Sequence, residues 1–369
     1  MASLSSQVKQ VLENAVAGPN APSGLVFGAI NRNGEILVAE AAGRIALDKD
    51  ERMTTESYFP LYSLTKNIVG IAAMQLVEQG KLVMDEPAER YLQVLGDDGV
   101  LREPKQKITV RMLLTHTAGL EYALCSFAKS NLPSNAPDEL IGTREGLLDL
   151  PLVYEPGERW QYSTSMDWMG EIIARTTGMT LGQYCEKHLF APLGARCIEI
   201  LYLALNLVDR LVSLHRRNPD GTVEVIDHLP FVRRDEPYHA GGAGSFGTLR
   251  SYLTILAALI NGGVGPNGSR ILKENTVKQM FTNQVEGLPG LSGTAVSVRK
   301  EFSDDFTVPD EYNTMPTGRS PLSAHWSGMG NLFYTADPTE GVACVMMAQQ
   351  IPFGDMPFFG LESAVYASL

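Results

Sequence analysis

Cysteine is scarce and scattered. The 369 residues hold four (Cys125, Cys185, Cys197 and Cys344), none in a Cys-x-x-Cys pair. That argues against a disulfide framework or a thiolate zinc site and reads as reduced thiols in a cytoplasmic protein. Long hydrophobic runs are missing too: no stretch reaches the eighteen or so apolar residues of a membrane span. The opening Met1-Ala-Ser-Leu-Ser-Ser-Gln-Val-Lys9 lacks the apolar run of a signal peptide. Positive charge is in deficit, with 30 Lys and Arg against 42 Asp and Glu, a formal net charge of −12. This is the wrong sign for a nucleic-acid partner and gives no support for an anionic membrane surface. No histidines stand at His-x-x-x-His or His-x-Glu spacing, so zinc hydrolysis is unsupported. The expectation is a protein without metal or cofactor.

What is present is a chain long enough for one large domain or two intergrown lobes. Val8, Val11, Leu12, Ala15 and Val16 follow helical spacing over residues 5–17, with Gly18 to end the helix. Two apolar runs flank Asn33-Gly34, the signature of an antiparallel hairpin. A short strand is expected over 58–61, then a strongly apolar helix from Ser63 to about Gln79, stopped at Gly80. Thr109 is expected to cap a helix over 110–114, Met166 to open one ending at Gly178, and Thr180 to start another that stops before Pro192. Residues 201–235 give no clear pattern, and Arg233 to Glu236 reads as a solvated charge run. A glycine-rich loop (Gly241, Gly242, Gly244) precedes a helix capped by Thr248. A second hairpin over 330–347 and a C-terminal helix near 358–368 close the chain. Strands at both ends with helices between imply a mixed α/β (α+β) fold with an antiparallel sheet built from both termini. The expected division is an α/β lobe of 1–84 and 236–369 and a mainly helical lobe of 85–235, with the Ser63 helix at the cleft.

Ser-x-x-Lys occurs four times: Ser6/Lys9, Ser63/Lys66, Ser126/Lys129 and Ser297/Lys300. Only Ser63 leaves an apolar approach (Tyr58-Phe-Pro-Leu-Tyr62) and enters an apolar helix, which would bury the pair. Serine needs a base within hydrogen-bond reach. Positions i and i+3 share a helix face, and a buried lysine loses protons more readily. A serine hydrolase also needs a proton carrier and an oxyanion hole. Trp160 to Thr164 and His325 to Gly330 are the candidate stretches.

In order, Ser63-Leu-Thr-Lys66, Ile108-Thr-Val-Arg-Met-Leu-Leu-Thr-His-Thr-Ala-Gly-Leu120, Glu155-Pro-Gly157, Tyr162-Ser163, Ala191-Pro-Leu-Gly194, Ala240-Gly-Gly242 and Asp337-Pro338 resemble the serine β-lactamase/penicillin-binding-protein superfamily. The likeness is greatest to its class C-like esterases and to polyketide acyltransferases of the lovastatin side-chain type, and covers nearly the whole chain. It implies a β-lactamase/transpeptidase-like fold, Ser63 as acylated nucleophile, Lys66 as base and Tyr162 as proton relay. Trp326-Ser327-Gly328 falls where the penicillin-binding enzymes carry Lys-Thr-Gly. The N–H groups of Met329 and Ser63 would form the oxyanion hole, and a one-residue slip would substitute Gly328 and bring in His325. Thr164 stands in place of the usual Asn of Tyr-x-Asn.

Losing that amide and the lysine replaced by Trp326 removes the groups expected to hold a β-lactam or peptide carbonyl and a substrate carboxylate. The resemblance then implies an acyl ester or thioester substrate, the latter from a small molecule or an acyl-carrier protein. Water or the alcohol of a small natural product would accept the acyl group. A β-lactamase or D-amino-acid peptidase, and a non-catalytic binding protein of the same fold, are the alternatives. His116 reads as structural, Trp160 and Trp326 as candidates to line an acyl pocket, and Trp168 as a core residue. Ala243 to Gly247 nearly spells Gly-x-Ser-x-Gly and reads as a loop.

Overall fold

The structure is a computed structural model and describes residues 3–18, 20–88, 105–122, 144, 148, 152, 154–195, 198–200, 210–226, 238–285, 288, 317–321, 323–354 and 357–369. The first apolar stripe forms α1 (Leu4–Ala15), capped by the Ser3 hydroxyl and burying Val8 and Leu12. Asn33-Gly34 joins β1 (Gly24–Asn31) to β2 (Ile36–Gly43), with Gly34 at φ +85°, which glycine adopts without a Cβ penalty. A two-residue strand β3 (Phe59–Pro60) leads into a 3₁₀ turn over Tyr62–Leu64 and then α2 (Thr65–Glu78). Ser63 therefore lies in the tight turn just ahead of the helix. Except at Gly70, α2 is buried from Thr65 to Leu76, as its apolar circumference requires.

Thr109 accepts the Met112 N–H and caps α3 (Val110–Leu114). Helix α4 (Ser165–Thr177) ends at Gly178 in the left-handed region. Thr180 and Gln183 form a reciprocal capping box at α5 (Leu181–Cys185). Helical structure does not stop before Pro192. It continues through a π turn (Glu186–Phe190) and α6 (Ala191–Leu193) to Gly194 at φ +70°. Proline's missing N–H leaves the His188 carbonyl, four residues back, without a helical donor, and the Gln75 side-chain amide donates to it instead at 2.9 Å.

Strands β4 (Ile198–Ile200), β5 (Leu214–Arg217) and β6 (Val223–Ile226) follow, so part of the unpatterned 201–235 stretch is a hairpin. Residues 243–247 are not all loop: β7 (Ser245–Gly247) pairs with β3 and β4. Thr248 caps α7 (Leu249–Ile260), and α8 spans Glu274–Met280. Strands β8 (Ala324–Gly328), β9 (Leu332–Asp337), β10 (Val342–Met347) and β11 (Gln350–Ile351) precede α9 (Phe358–Tyr366). The 233–236 charge run, Ser126/Lys129, Ser297/Lys300, Cys125 and Cys197 lie outside the described residues.

The main sheet has the order β2-β1-β10-β9-β8 and is antiparallel throughout, with β1 registered on β10 from Val26↔Met347 to Asn31↔Val342. One face, with Val26, Ile30, Val345, Tyr334 and Trp326, shares a core with α2, α4 and α7. The other, with Phe27, Cys344 and Met346, packs on α1 and α9. This is the mixed α/β fold anticipated from the chain pattern. Cys185 and Cys344 are buried free thiols. Among the described residues no helix is long and apolar enough to cross a membrane.

Candidate active site

Tyr62 adopts φ +45°, a region that bulky residues rarely occupy, and this bend presents Ser63 at the mouth of α2. The Lys66 ammonium, one turn on, donates to Ser63 Oγ at 3.0 Å and to the Gly242 carbonyl at 2.7 Å. Tyr162 Oη lies 2.6 Å from the same Ser63 Oγ. Residues 99 positions apart thus meet at one hydroxyl because α4 packs beside α2 and holds the segment leading into it.

Electrostatics favour a mobile proton here. Burial leaves Lys66 only 7 % exposed and pulls its pKa far below the ordinary lysine range; the Asp167 carboxylate opposes that pull. Asp167 is itself pushed up by burial and held down by Lys66 and by the Gly242 N–H, which donates to Asp167 Oδ1 at 2.9 Å. Burial raises the Tyr162 phenol well above its usual value, while hydrogen bonds from Ser63, Trp326 and Tyr122 work against the rise. Lys66 Nζ also sits 4.7 Å from the Tyr162 ring centroid and 5.3 Å from that of Tyr122, a cation–π setting.

Aromatic rings enclose the phenol. Trp326, Tyr122 and His116 each have a centroid 5.1 Å from that of Tyr162, and Trp160 stands at 6.5 Å. His116 is structural here. Its Nδ1 pairs with Ser163 Oγ at 3.1 Å, and its carbonyl accepts the Gln161 N–H at 2.9 Å. Burial, aided by the Lys66 charge, pushes its pKa down to about 3, so the ring stays neutral at physiological pH.

Alternation along β8 sorts the other sequence candidates. Trp326 and Gly328 share the buried face, whereas His325 and Ser327 point to the opposite face, opposite Thr335 and Phe333. The structure therefore does not bring the His325 and Ser327 side chains to Ser63. Gly328 runs against the turn bearing Ser63: a Cβ there would stand 3.0 Å from the Leu61 carbonyl oxygen. Met329 follows it directly and is partly buried against the core. Thr164 occupies the N-cap position of α4, fully buried, and its hydroxyl has no hydrogen-bond partner among the described residues. Ser245, of the near Gly-x-Ser-x-Gly, is buried and bonds to Thr65 Oγ1 at 2.6 Å, with no hydrogen bond to a base among the described residues.

A beta-lactamase family model matches residues 9–357. The chain belongs to the beta-lactamase family. Monacolin J acid methylbutanoyltransferase of Aspergillus terreus is 30 % identical over 345 residues, 83 % of this chain and 81 % of that one. Lovastatin esterase of Penicillium rubens is 30 % identical over 285 residues, 70 % and 68 % of the respective chains. Among solved structures, unliganded simvastatin synthase (LovD) from Aspergillus terreus superposes with a TM-score of 0.82 at 25 % identity, covering 100 % of this chain and 99 % of that one. The family and these relatives make the chain an enzyme of acyl transfer or hydrolysis.

Asp167, Tyr122 and the Gly242 carbonyl are members of the site that motif reading missed. An acid among apolar positions of α4 was the available signal for Asp167.

Proposed function

We propose that the chain is a Ser-Lys-Tyr acyl-enzyme catalyst that takes an acyl group from an ester or thioester and passes it to an alcohol of a polyketide-type natural product, or to water. The observation that carries this is one hydroxyl, Ser63 Oγ, within hydrogen-bond distance of both a buried lysine of lowered pKa and a buried tyrosine. Ser63 Oγ attacks the donor carbonyl as its proton passes to the neutral Lys66 amine. The N–H groups of Ser63 and Met329 hold the oxyanion. Collapse expels an alcohol or thiol, protonated through Tyr162, and leaves an ester on Ser63. An acceptor hydroxyl then gives its proton back along the same path and takes the acyl group. Among the relatives, the methylbutanoyltransferase supports a bulky alcohol acceptor and the lovastatin esterase supports water.

In this reading the lobe of 1–84 and 236–369 carries Ser63 and Trp326, and the mainly helical lobe of 85–235 carries Tyr162. Trp326 and Thr164, in place of a cation and an amide, speak against a β-lactam substrate. Intact-mass measurement after mixing with acyl esters and thioesters tests the assignment. The expected result is a one-acyl adduct that Ser63→Ala abolishes. No adduct and no turnover across a broad panel would sink it, and rapid cephalosporin hydrolysis would restore the β-lactamase reading.

A further inference from the structure

Beside α2 lies a chamber of about 420 Å³ lined in part by the buried side chains of Lys66 and Trp326, which also flank Ser63 and Tyr162. It follows one face of α2 through Gly70 and Met74 to Val77. Opposite stand Met84, Met166 and Met280, thioethers that adapt to varied apolar shapes. Arg111 and Gln284, bonded to each other, rim the outer end. Gly70 is the telling residue. A glycine within a helix is destabilising relative to alanine, yet a Cβ at Gly70 would meet nothing within 4 Å. The missing side chain leaves open space where the chamber passes.

We propose that this chamber is the acyl pocket and selects a straight, medium-length acyl chain; the proposal rests on the acyl-serine reading above. From Lys66 to Val77 α2 rises roughly 16 Å, and an extended chain advances about 1.2 Å per bond, so about thirteen bonds set the upper limit and an acyl group of about eight to twelve carbons fits within it. Such a chain on Ser63 passes Lys66 and Trp326, lies along Gly70 and ends among the methionines. The acceptor is left the opposite, open side of Ser63.

The test is kcat/KM across p-nitrophenyl esters from acetyl to dodecanoyl, with intact mass reporting the Ser63 adduct. In the wild type kcat/KM rises up to about fourfold per added methylene as each enters apolar surroundings. Gly70→Leu lowers the decanoyl-to-acetyl ratio by at least about thirtyfold, because its side chain fills the channel. Gly70→Ala, a better helix former, melts no lower than the wild type and lowers the ratio less. A wild type that prefers butanoyl to decanoyl, or a Gly70→Leu enzyme with an unchanged ratio, overturns the proposal while the acyl-serine reading stands. Absence of both a Ser63 adduct and turnover, acetyl included, overturns both.

Discussion

Lys66 sits between two opposing influences: burial favours its neutral amine, and the Asp167 carboxylate favours the ammonium. In the proposed mechanism only the neutral form accepts the Ser63 proton, so acylation is expected to rise with pH through the Lys66 pKa, on a limb well below the pKa of a free lysine. Asp167→Asn keeps an oxygen for the Gly242 N–H but removes the charge that holds the Lys66 pKa up. The expected outcome is a pH–rate profile whose acid limb moves to lower pH; a limb that stays or moves upward refutes the coupling. Tyr162→Phe keeps the ring among its aromatic neighbours and loses the hydroxyl on Ser63, so acylation falls about 10²–10⁴-fold, read by stopped-flow release of the leaving group. The meeting of Ser63, Lys66 and Tyr162 was legible because the motifs that carry them stand in the chain. Asp167 was not. An acid in the first turn of a helix ordinarily reads as a solvated partner for the helix dipole. Its burial depends on a loop 75 residues away.

That loop shows how one element positions another. Gly241 lies so close to the start of α4 that a Cβ would fall 2.2 Å from the Met166 carbonyl oxygen, so only glycine lets the loop dock there. The next residue supplies both the carbonyl that holds Lys66 and the N–H that meets Asp167. Gly241→Ala must push the loop off α4, with an overpacking cost of about 1–3 kcal/mol. Because Lys66 loses its anchor, acylation falls at least about tenfold in protein that still folds; a lowered Tm with unchanged acylation would contradict the link. The helices and both hairpins with strong turn or cap signals were readable in advance: Asn33-Gly34, Thr109 and Thr248 act locally. Strand β7 was not, because three residues carry no period and their partners, β3 and β4, lie far off in sequence. The β5–β6 hairpin did carry a signal, Asn218-Pro-Asp-Gly221, with Gly221 at φ +89° and Asp220 accepting the Thr222 N–H. The surrounding charged residues obscured it.

At the scale of the whole molecule, the five-stranded sheet separates chemistry from anchorage. Strand β1 from the start of the chain pairs with β10 near its end, so the sheet forms only when both termini are in place. Its α2 face bears Trp326 and packs around the Ser63 helix. The other face belongs to α1 and α9, where Phe358 is 2 % exposed and lies 5.3 Å from Phe333 and 6.4 Å from Phe27 between ring centroids. Phe358 touches no residue of the candidate site, yet its removal leaves a cavity in the smaller core. Phe358→Ala is expected to lower stability by about 3–5 kcal/mol, seen as a lower urea midpoint with an unchanged slope. Below its melting range the variant should acylate at the wild-type rate, because the intervening sheet keeps α2, α4 and the Gly242 loop in register. A matching fall in acylation rate of the folded variant would show instead that the two cores are coupled through the strands.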